Sequence, residues 1–353
     1  MIGCDMPFEE AFLYTVGKYA KEHKIPVSAT IELTPFCNFS CVMCYVRLVP
    51  EQAAKQGKLL SKDKILEIAR EAREMGTLYL TLTGGEPLSR PDFWDIYGEL
   101  NKMGFLISIL SNGSLIDENA IEKFKEYGMP YTVKISLYGA NNDTYKKVCN
   151  ADDGFTKTEK AVKLLKENNV PLTLTATIVK ENAEDLRKMY EIAKEWKVRF
   201  YHTISVVKSA RGSINSAEES RFAFDEFAEN LSLEQLEKHK VKSPESPFSW
   251  CSCYRNSFWL TWNGHLQLCA FMNGPYASVD KGLNNAWLEL NQKLDSLKNP
   301  TECEDCEYSE FCQRCPGMLC AESGSAEKSS ESVCRTAKTL YTIYQNKLKE
   351  EEK

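Results

Sequence analysis

Residues 28–206 alternate between short apolar runs and helical patterns, and this alternation constrains the fold more than any other feature of the sequence. Six runs have the length of buried strands, and amphipathic patterns of helical period lie between them. Such repeated units predict a parallel sheet, which right-handed crossovers curl into a full or partial barrel. The predicted strands are Ser28–Thr34, Thr77–Thr83, Phe105–Ser111, Tyr131–Leu137, Pro171–Val179 and Val198–Val206. The predicted helices between them are Ser61–Met75, Pro91–Met103, Asp117–Tyr127, Phe155–Asn168 and Ala183–Trp196.

Three cysteines directly follow the first predicted strand, at the spacing CxxxCxxC. Cys37, Cys41 and Cys44 can hold three irons of a four-iron, four-sulfur cluster. The fourth iron then has no protein ligand and is open to a cofactor. A zinc knuckle or scattered buried thiols are the alternatives.

Small and polar residues follow the next three predicted strands. In barrels of this kind the functional groups lie at the carboxyl ends of the strands, where the loops converge. Gly84 and Gly85 can let the backbone approach a ligand closely, and the Glu86 carboxylate can accept from an ammonium group. Asn112 and Ser136 end the third and fourth strands, where a capped turn is the alternative.

The net charge of −6, with both signs spread along the chain, gives no basic footprint for nucleic acid or an anionic membrane. No apolar run reaches the roughly 18 residues of a membrane span, and no signal peptide pattern opens the sequence. We therefore expect a cytoplasmic protein. Its fourteen cysteines, nine of them in residues 251–334, then indicate metal sites rather than disulfides.

The cysteine spacing, an aromatic residue after the third cysteine and the Gly-Gly-Glu turn resemble the signature of the radical S-adenosylmethionine (radical SAM) superfamily. The resemblance implies a partial (β/α)6 TIM-like barrel of the α/β class, whose open iron chelates S-adenosylmethionine and passes it an electron. Homolysis then gives methionine and a 5′-deoxyadenosyl radical that abstracts a substrate hydrogen. The resemblance also implies that the cofactor contacts Tyr45, Gly84, Gly85, Glu86, Asn112 and Ser136.

The chain departs from the commoner pattern of that family after the fourth strand. Tyr138 stands where many relatives have an aspartate, and the following run lacks the arginine that relatives often carry. Lys146 or Lys147 is then a candidate to neutralise the cofactor carboxylate. Cys149 is a candidate hydrogen-atom donor, with an inert buried thiol as the alternative.

The cysteine-rich tail begins with an Asn-Gly hairpin signal between two apolar runs, which returns Cys269 towards Cys251 and Cys253. The order of its cysteines resembles the SPASM extension of radical SAM enzymes, a β-hairpin plus helices with two auxiliary clusters. The resemblance implies that auxiliary cluster I uses Cys251, Cys253, Cys269 and Cys315. It implies that auxiliary cluster II uses Cys303, Cys306, Cys312 and Cys334. Cys320 is an alternative to Cys315, and two zinc sites are an alternative to the clusters.

We predict three segments: an N-terminal helical leader at 1–27, the barrel at 28–240, and the SPASM domain with its terminal helix at 241–353. Three four-iron clusters and S-adenosylmethionine are the cofactors that the resemblance implies. Because oxygen destroys such clusters, we expect an anaerobic or microaerobic host. An electron donor such as flavodoxin or ferredoxin is a further expected partner.

SPASM-bearing relatives mostly modify peptides or proteins. The resemblance therefore implies an enzyme that installs a thioether or carbon–carbon cross-link in a ribosomally made peptide. A leader of 27 residues is too short for a leader-recognition domain, so a separate protein or the barrel itself is expected to recognise the peptide. The alternatives are epimerisation with a cysteine hydrogen donor, sulfatase-type formylglycine formation, and a non-catalytic iron–sulfur electron carrier.

Overall fold

The computed structural model describes residues 8–212, 216–222, 228–241 and 245–351, without the side chains of residues 8–14. Cys4 lies outside the described residues. Helix α1 (Phe8–His23) agrees with the helical leader that the sequence predicts. Its end contacts the body of the protein, because Ala20 is buried and the Trp287 indole donates to the Lys24 carbonyl just after the helix at 2.7 Å.

Six strands form the predicted parallel sheet, in the order β6-β5-β4-β3-β2-β1. Each lies inside its predicted range, and the outer residues of those ranges join the loops. The α/β class with an open parallel barrel is confirmed. The strands are β1 (Ser28–Glu32), β2 (Tyr79–Thr83), β3 (Leu106–Ser111), β4 (Thr132–Ser136), β5 (Leu172–Thr177) and β6 (Phe200–Thr203).

Seven helices are described between β1 and β6. They are α2 (Pro50–Gln56), α3 (Lys62–Glu74), α4 (Phe93–Lys102), α5 (Glu118–Tyr127), α6 (Asn142–Cys149), α7 (Gly154–Glu167) and α8 (Leu186–Glu195). Helices α2 and α6 were not predicted, because they are too short to show a helical period. Local caps define α6: the Asn141 side chain accepts from the Thr144 amide, and Asn150 ends the helix in the left-handed conformation.

A single buried row fixes the strands relative to one another. Ile31, Leu82, Ile109 and Val133 lie opposite one another in successive strands, and all four are fully buried. Burial of a side chain of this size contributes about 1.5–3 kcal/mol. The loops that follow β1 to β4 therefore start from one rigid edge.

The tail hairpin continues the sheet of the barrel. It contains β7 (Ser257–Leu260), β8 (His265–Gln267) and the short β9 (Ala277–Ser278). Strand β7 pairs in parallel with β1, and β8 returns antiparallel to β7 through a turn in which Gly264 has a positive φ. The predicted hairpin is present, and one nine-stranded sheet crosses the predicted domain boundary near residue 240.

The remaining described helices surround the tail cysteines. They are α9 (Leu233–Lys238), α10 (Leu283–Asp295), α11 (Pro316–Ser323) and α12 (Glu331–Glu351). On α12, Leu340 and Tyr344 pack with Leu236 and Phe311 in a small second core. The sequence pattern also predicts a helix over residues 218–231, of which residues 223–227 lie outside the described residues. Within the described ranges, no helix has the length and apolarity needed to cross a bilayer.

Candidate active site

The loop after β1 presents the three cysteines of the CxxxCxxC motif, all of them half-buried. Two backbone amides of this loop donate to their sulfurs, Phe39 to Cys37 Sγ and Arg47 to Cys44 Sγ, each at 3.3 Å. Hydrogen bonds to cluster sulfurs are part of how proteins tune iron–sulfur sites. We call residues 33–48 the cluster loop.

The C-terminus of α6 holds the cluster loop in place. The Cys149 and Val148 carbonyls accept from the Ser40 and Val42 amides at 2.9 and 2.8 Å. The Cys149 side chain is fully buried and shares a hydrogen bond with the Cys41 thiol. Cys149 therefore contacts a predicted cluster ligand, which favours the buried-thiol alternative over a hydrogen-atom donor.

The three thiols are protonated at neutral pH when no metal is bound. Burial raises the pKa of Cys37 to about 12 and that of Cys44 to about 11. The pKa of Cys41 is also raised, first by its hydrogen bond with Cys149 and then by burial. Metal binding at this loop must therefore release protons.

Gly84 and Gly85 bring the loop after β2 into contact with the cluster loop. A Cβ atom on Gly84 would lie 2.3 Å from the Thr34 carbonyl oxygen, and one on Gly85 would lie 2.0 Å from that of Phe36. The Gly85 amide donates to Thr34 O at 2.7 Å. The close approach predicted for these glycines is thus made to the backbone of the cluster loop.

Glu86 joins the loops after β2 and β3. Its fully buried carboxylate accepts from the Leu88 amide at 3.1 Å, the Ser111 hydroxyl at 3.0 Å and the Asn112 amide at 2.8 Å. Burial raises its pKa to about 7, while these hydrogen bonds act in the opposite direction. A carboxylate has about four acceptor positions, so one remains for an ammonium group.

Asn112 reaches the cluster loop from β3. Its side-chain amide donates to Asn38 Oδ1 at 2.9 Å and lies 3.7 Å from Cys37 Sγ. The loops after the first three strands converge as predicted, because Glu86, Asn112 and Cys37 lie in one connected group.

Ser136 is farther along the same edge. Its carbonyl accepts from the Tyr145 hydroxyl at 3.1 Å, and its side chain is hydrogen-bonded to Tyr138. Burial, and next the nearby Cys41 sulfur, raise the pKa of Tyr138. The residue that replaces the aspartate of many relatives therefore lies beside the cluster loop.

Tyr45 connects the cluster loop with the tail. Its ring packs edge-on against Phe271, with ring centroids 5.5 Å apart. Burial raises the pKa of Tyr45, and the sulfurs of Cys44 and Cys269 both add to the shift. The side chain is therefore near both a barrel cysteine and a tail cysteine.

A buried ion pair next to Tyr45 was missed from the sequence. Arg211 Nη2 lies 2.6 Å from Glu32 Oε1 at the end of β1, and Trp259 of β7 donates to the same oxygen at 2.7 Å. Arg211 also donates to the Ala270 carbonyl at 3.4 Å. These contacts tie the barrel to the tail hairpin.

The four cysteines assigned to auxiliary cluster I come together beside β7 and α11. A Cβ atom on Gly317 would lie 3.0 Å from Cys269 Sγ and 3.8 Å from Cys315 Sγ. A hydrogen bond between the thiols of Cys251 and Cys253 lowers the pKa of Cys253 and raises that of Cys251. Burial raises the pKa of Cys269 to about 12, with smaller contributions from Cys315 and Cys253.

Cys320, the alternative to Cys315, has other partners. It is fully buried, and its thiol lies 3.0 Å from Asn273 Oδ1 and 3.1 Å from the Gly274 carbonyl oxygen. The geometry therefore favours Cys315 as the thiol beside Cys269.

The four cysteines assigned to auxiliary cluster II line one small pocket of about 20 Å³. They are Cys303, Cys306, Cys312 and Cys334. Burial raises the pKa of Cys303 and of Cys312, and the charge of the buried Arg314 opposes both shifts. A cation thus lies beside these thiols.

The donor chemistry of these groups fits iron–sulfur clusters, because thiolates are their usual ligands and the groups contain three, four and four thiols. The side chains are not in a coordinating arrangement: across the described ranges, no set of three or more His, Cys, Asp or Glu is placed to hold a metal ion.

The model of the Radical SAM superfamily matches residues 31–193. A probable GTP 3′,8-cyclase of Saccharolobus solfataricus is 30% identical over 217 residues, which are 61% of this chain and 68% of that protein. An AdoMet-dependent heme synthase of Methanosarcina barkeri is 30% identical over 181 residues, which are 51% of this chain and 51% of that protein. This chain therefore spans about half the length of that relative. A PqqA peptide cyclase of Granulibacter bethesdensis is 30% identical over 169 residues, 48% of this chain and 44% of that one.

Two solved structures share the fold over nearly the whole chain, including the cysteine-rich tail. Streptococcus suis SuiB bound to S-adenosylmethionine has a TM-score of 0.63 at 19% identity, and the match covers 95% of this chain and 82% of the SuiB chain. The structure of anSMEcpe with bound AdoMet has a TM-score of 0.61 at 19% identity, and the match covers 92% of this chain and 98% of the anSMEcpe chain. Membership of the family implies S-adenosylmethionine and a four-iron cluster as cofactors. Together with the cluster loop and its Gly-Gly-Glu neighbour, these matches place the chain in the radical SAM superfamily of enzymes.

Proposed function

We propose that the chain is a peptide-modifying radical SAM enzyme that installs a thioether or carbon–carbon cross-link in a ribosomally made peptide. The observation that carries the proposal is one fold in which a three-cysteine loop contacts Gly85 and Asn112 while the tail gathers two further groups of four cysteines. Solved structures of the same fold contain peptides: SuiB with the precursor peptide SuiA, and anSMEcpe with a peptide named Cp18Cys.

In this proposal the residues of the cluster loop and of the neighbouring strand ends bind and orient the cluster and S-adenosylmethionine. Cys37, Cys41 and Cys44 hold the open-iron cluster, and the remaining acceptor position of Glu86 receives the amino group of S-adenosylmethionine. Tyr45, Gly84, Gly85, Asn112 and Ser136 complete the cofactor site. When bound, the cofactor supplies one-electron hydrogen abstraction.

The tail cysteines give the chain two further cluster sites, three in all. A cross-link removes two electrons from its substrate, and hydrogen abstraction accounts for one of them. Auxiliary cluster I, at Cys251, Cys253, Cys269 and Cys315, accepts the second electron in this proposal, because Tyr45 interacts with the sulfurs of both Cys44 and Cys269. Auxiliary cluster II uses Cys303, Cys306, Cys312 and Cys334.

An extended peptide can reach the site from the side. In the described part of the chain, β6 is an edge strand, so the parallel strands do not close into a full barrel. We further propose a cytoplasmic enzyme that receives electrons from a flavodoxin or ferredoxin and receives its peptide with the help of a separate leader-recognition protein.

The test uses anaerobically reconstituted full-length protein with dithionite, S-adenosylmethionine and the short peptides encoded beside its gene. We expect 5′-deoxyadenosine formation that depends on one of these peptides, which loses two hydrogens by mass spectrometry. The Cys37→Ala variant should form neither product. Turnover with GTP or a haem precursor but with none of the peptides would contradict the peptide proposal, and a sulfatase-motif peptide tests formylglycine formation.

A further inference from the structure

Among the described residues, Arg47 has a buried side-chain hydrogen-bond donor with no acceptor. It lies in the cluster loop three residues after Cys44, and its backbone amide already donates to Cys44 Sγ at 3.3 Å. Its side-chain Nε is shielded from solvent and has no hydrogen-bond partner in the described structure. Buried donors in folded proteins are nearly always paired, so this one calls for an acceptor that the described chain does not supply.

The guanidinium of Arg47 lies near two of the three cysteines of the loop. It is close enough to the sulfurs of Cys41 and Cys44 to interact electrostatically with both. A cation is therefore held close to two thiols that the proposed function assigns to iron.

Lys146 and Lys147, the candidate cations after the fourth strand, are not buried as the Arg47 Nε is. Lys146 lies on an exposed face of α6, where its ammonium group pairs with Asp152 at 2.8 Å, and Lys147 is exposed. Arg47, by contrast, is anchored through its own backbone to the sulfur of a cluster cysteine.

We propose that Arg47 is a positioning residue for the open-iron cluster: its Nε donates to a cluster sulfur, and its charge stabilises the reduced cluster. This inference rests on the proposed assignment of Cys37, Cys41 and Cys44. Reduction adds one negative charge to the cluster, and a fixed positive charge nearby stabilises that state more than the oxidised one. A guanidinium suits the task because it combines a permanent charge with several donors in a fixed plane.

The test compares Arg47→Gln and Arg47→Lys with Arg187→Gln, a control that removes an exposed arginine paired with Glu191 on α8. The reduction potential is measured by EPR-monitored titration of the signal that changes when S-adenosylmethionine is added. At the wild-type midpoint we expect the ratio of reduced to oxidised cluster to fall at least tenfold in Arg47→Gln, a shift of about 59 mV for a one-electron couple. Arg47→Lys should shift less, and Arg187→Gln should match wild type.

Iron content and circular dichroism of each variant separate the outcomes. A wild-type potential in fully loaded Arg47→Gln overturns the inference while leaving the proposed function intact. Loss of the S-adenosylmethionine-responsive cluster from Arg47→Gln but not from Arg47→Lys supports it, because the charge is then required to retain the cluster. Loss from both variants with an intact fold overturns the role of the charge. Wild-type protein without such a cluster contradicts the proposed function itself.

Discussion

Cys149 and Cys41 share a thiol hydrogen bond, although 107 intervening residues separate them in the sequence. The same contact is supported by the backbone, since the Cys149 carbonyl accepts from the Ser40 amide at 2.9 Å. The thiol at the end of α6 thus supports the second cysteine of the cluster loop. When Cys41 binds iron as a thiolate, the Cys149 S–H is the donor that remains.

Replacing Cys149 should leave catalysis in place. Cys149→Ala removes a buried sulfur and should lower the free energy of unfolding by about 1 kcal/mol, a typical cost for one substitution. Because the thiol contacts Cys41, a proposed cluster ligand, we expect the variant to retain peptide modification, with Cys149→Ser closer to wild type. Loss of an inverted residue together with a trapped carbon radical in the EPR spectrum of Cys149→Ala would instead identify an epimerase.

Gly85→Ala should disrupt the cluster loop. The added Cβ would meet the Phe36 carbonyl oxygen at 2.0 Å, and neither backbone can move without breaking the Gly85–Thr34 hydrogen bond. We expect a loss of about 1–3 kcal/mol in unfolding free energy by urea titration, together with reduced iron loading. Gly17→Ala is the matched control: a Cβ there has no atom within 4 Å, and alanine favours the helix, so stability should stay equal or rise.

Glu86 should make stability depend on pH. Its folded-state pKa of about 7 is above the ordinary glutamate value of 4.5, so the folded chain binds more protons than the unfolded chain between these values. Stability therefore falls as pH rises from about 4.5 to 7, by about 3 kcal/mol in total. Urea unfolding without S-adenosylmethionine at pH 5 and pH 8 should show this decrease in wild type and a smaller one in Glu86→Gln. An equal slope in both proteins would show that another group titrates.

Cys315 and Cys320 should differ in their effect on iron content. Cys315 lies beside Cys269, whereas the Cys320 thiol contacts the turn at Asn273 and Gly274. We expect Cys315→Ser to lose one cluster's worth of iron after anaerobic purification and Cys320→Ser to keep the wild-type amount. The reverse result would assign Cys320 to auxiliary cluster I.

Local patterns predicted the parts of the site that lie at strand ends. The alternation of strands and helices placed Cys37, Glu86 and Asn112 at one edge, and the structure brings them into one hydrogen-bonded group. The Asn-Gly turn likewise predicted the hairpin that contains Cys269. These features depend on periodicity and turn chemistry, which a single sequence shows directly.

Long-range pairs could not be predicted in the same way. Glu32 and Arg211 are 179 residues apart, and nothing in either segment indicates that the other neutralises its charge. The pairing of β7 with β1 joins the tail to the barrel by backbone hydrogen bonds, which have no sequence signature. The role of Arg47 could not be predicted from the sequence, because an arginine after a cysteine motif is common. It stands out only when the burial of its Nε and the lack of an acceptor among the described residues are known.

The most direct test of the account is the iron and sulfide content of the full chain after anaerobic reconstitution, measured with S-adenosylmethionine cleavage by the same sample. Three cysteine groups predict about twelve iron and twelve sulfide per chain, together with 5′-deoxyadenosine when dithionite and S-adenosylmethionine are added. About four iron per chain with cleavage intact would contradict the two auxiliary clusters. Zinc in place of iron, with no cleavage, would contradict the account as a whole.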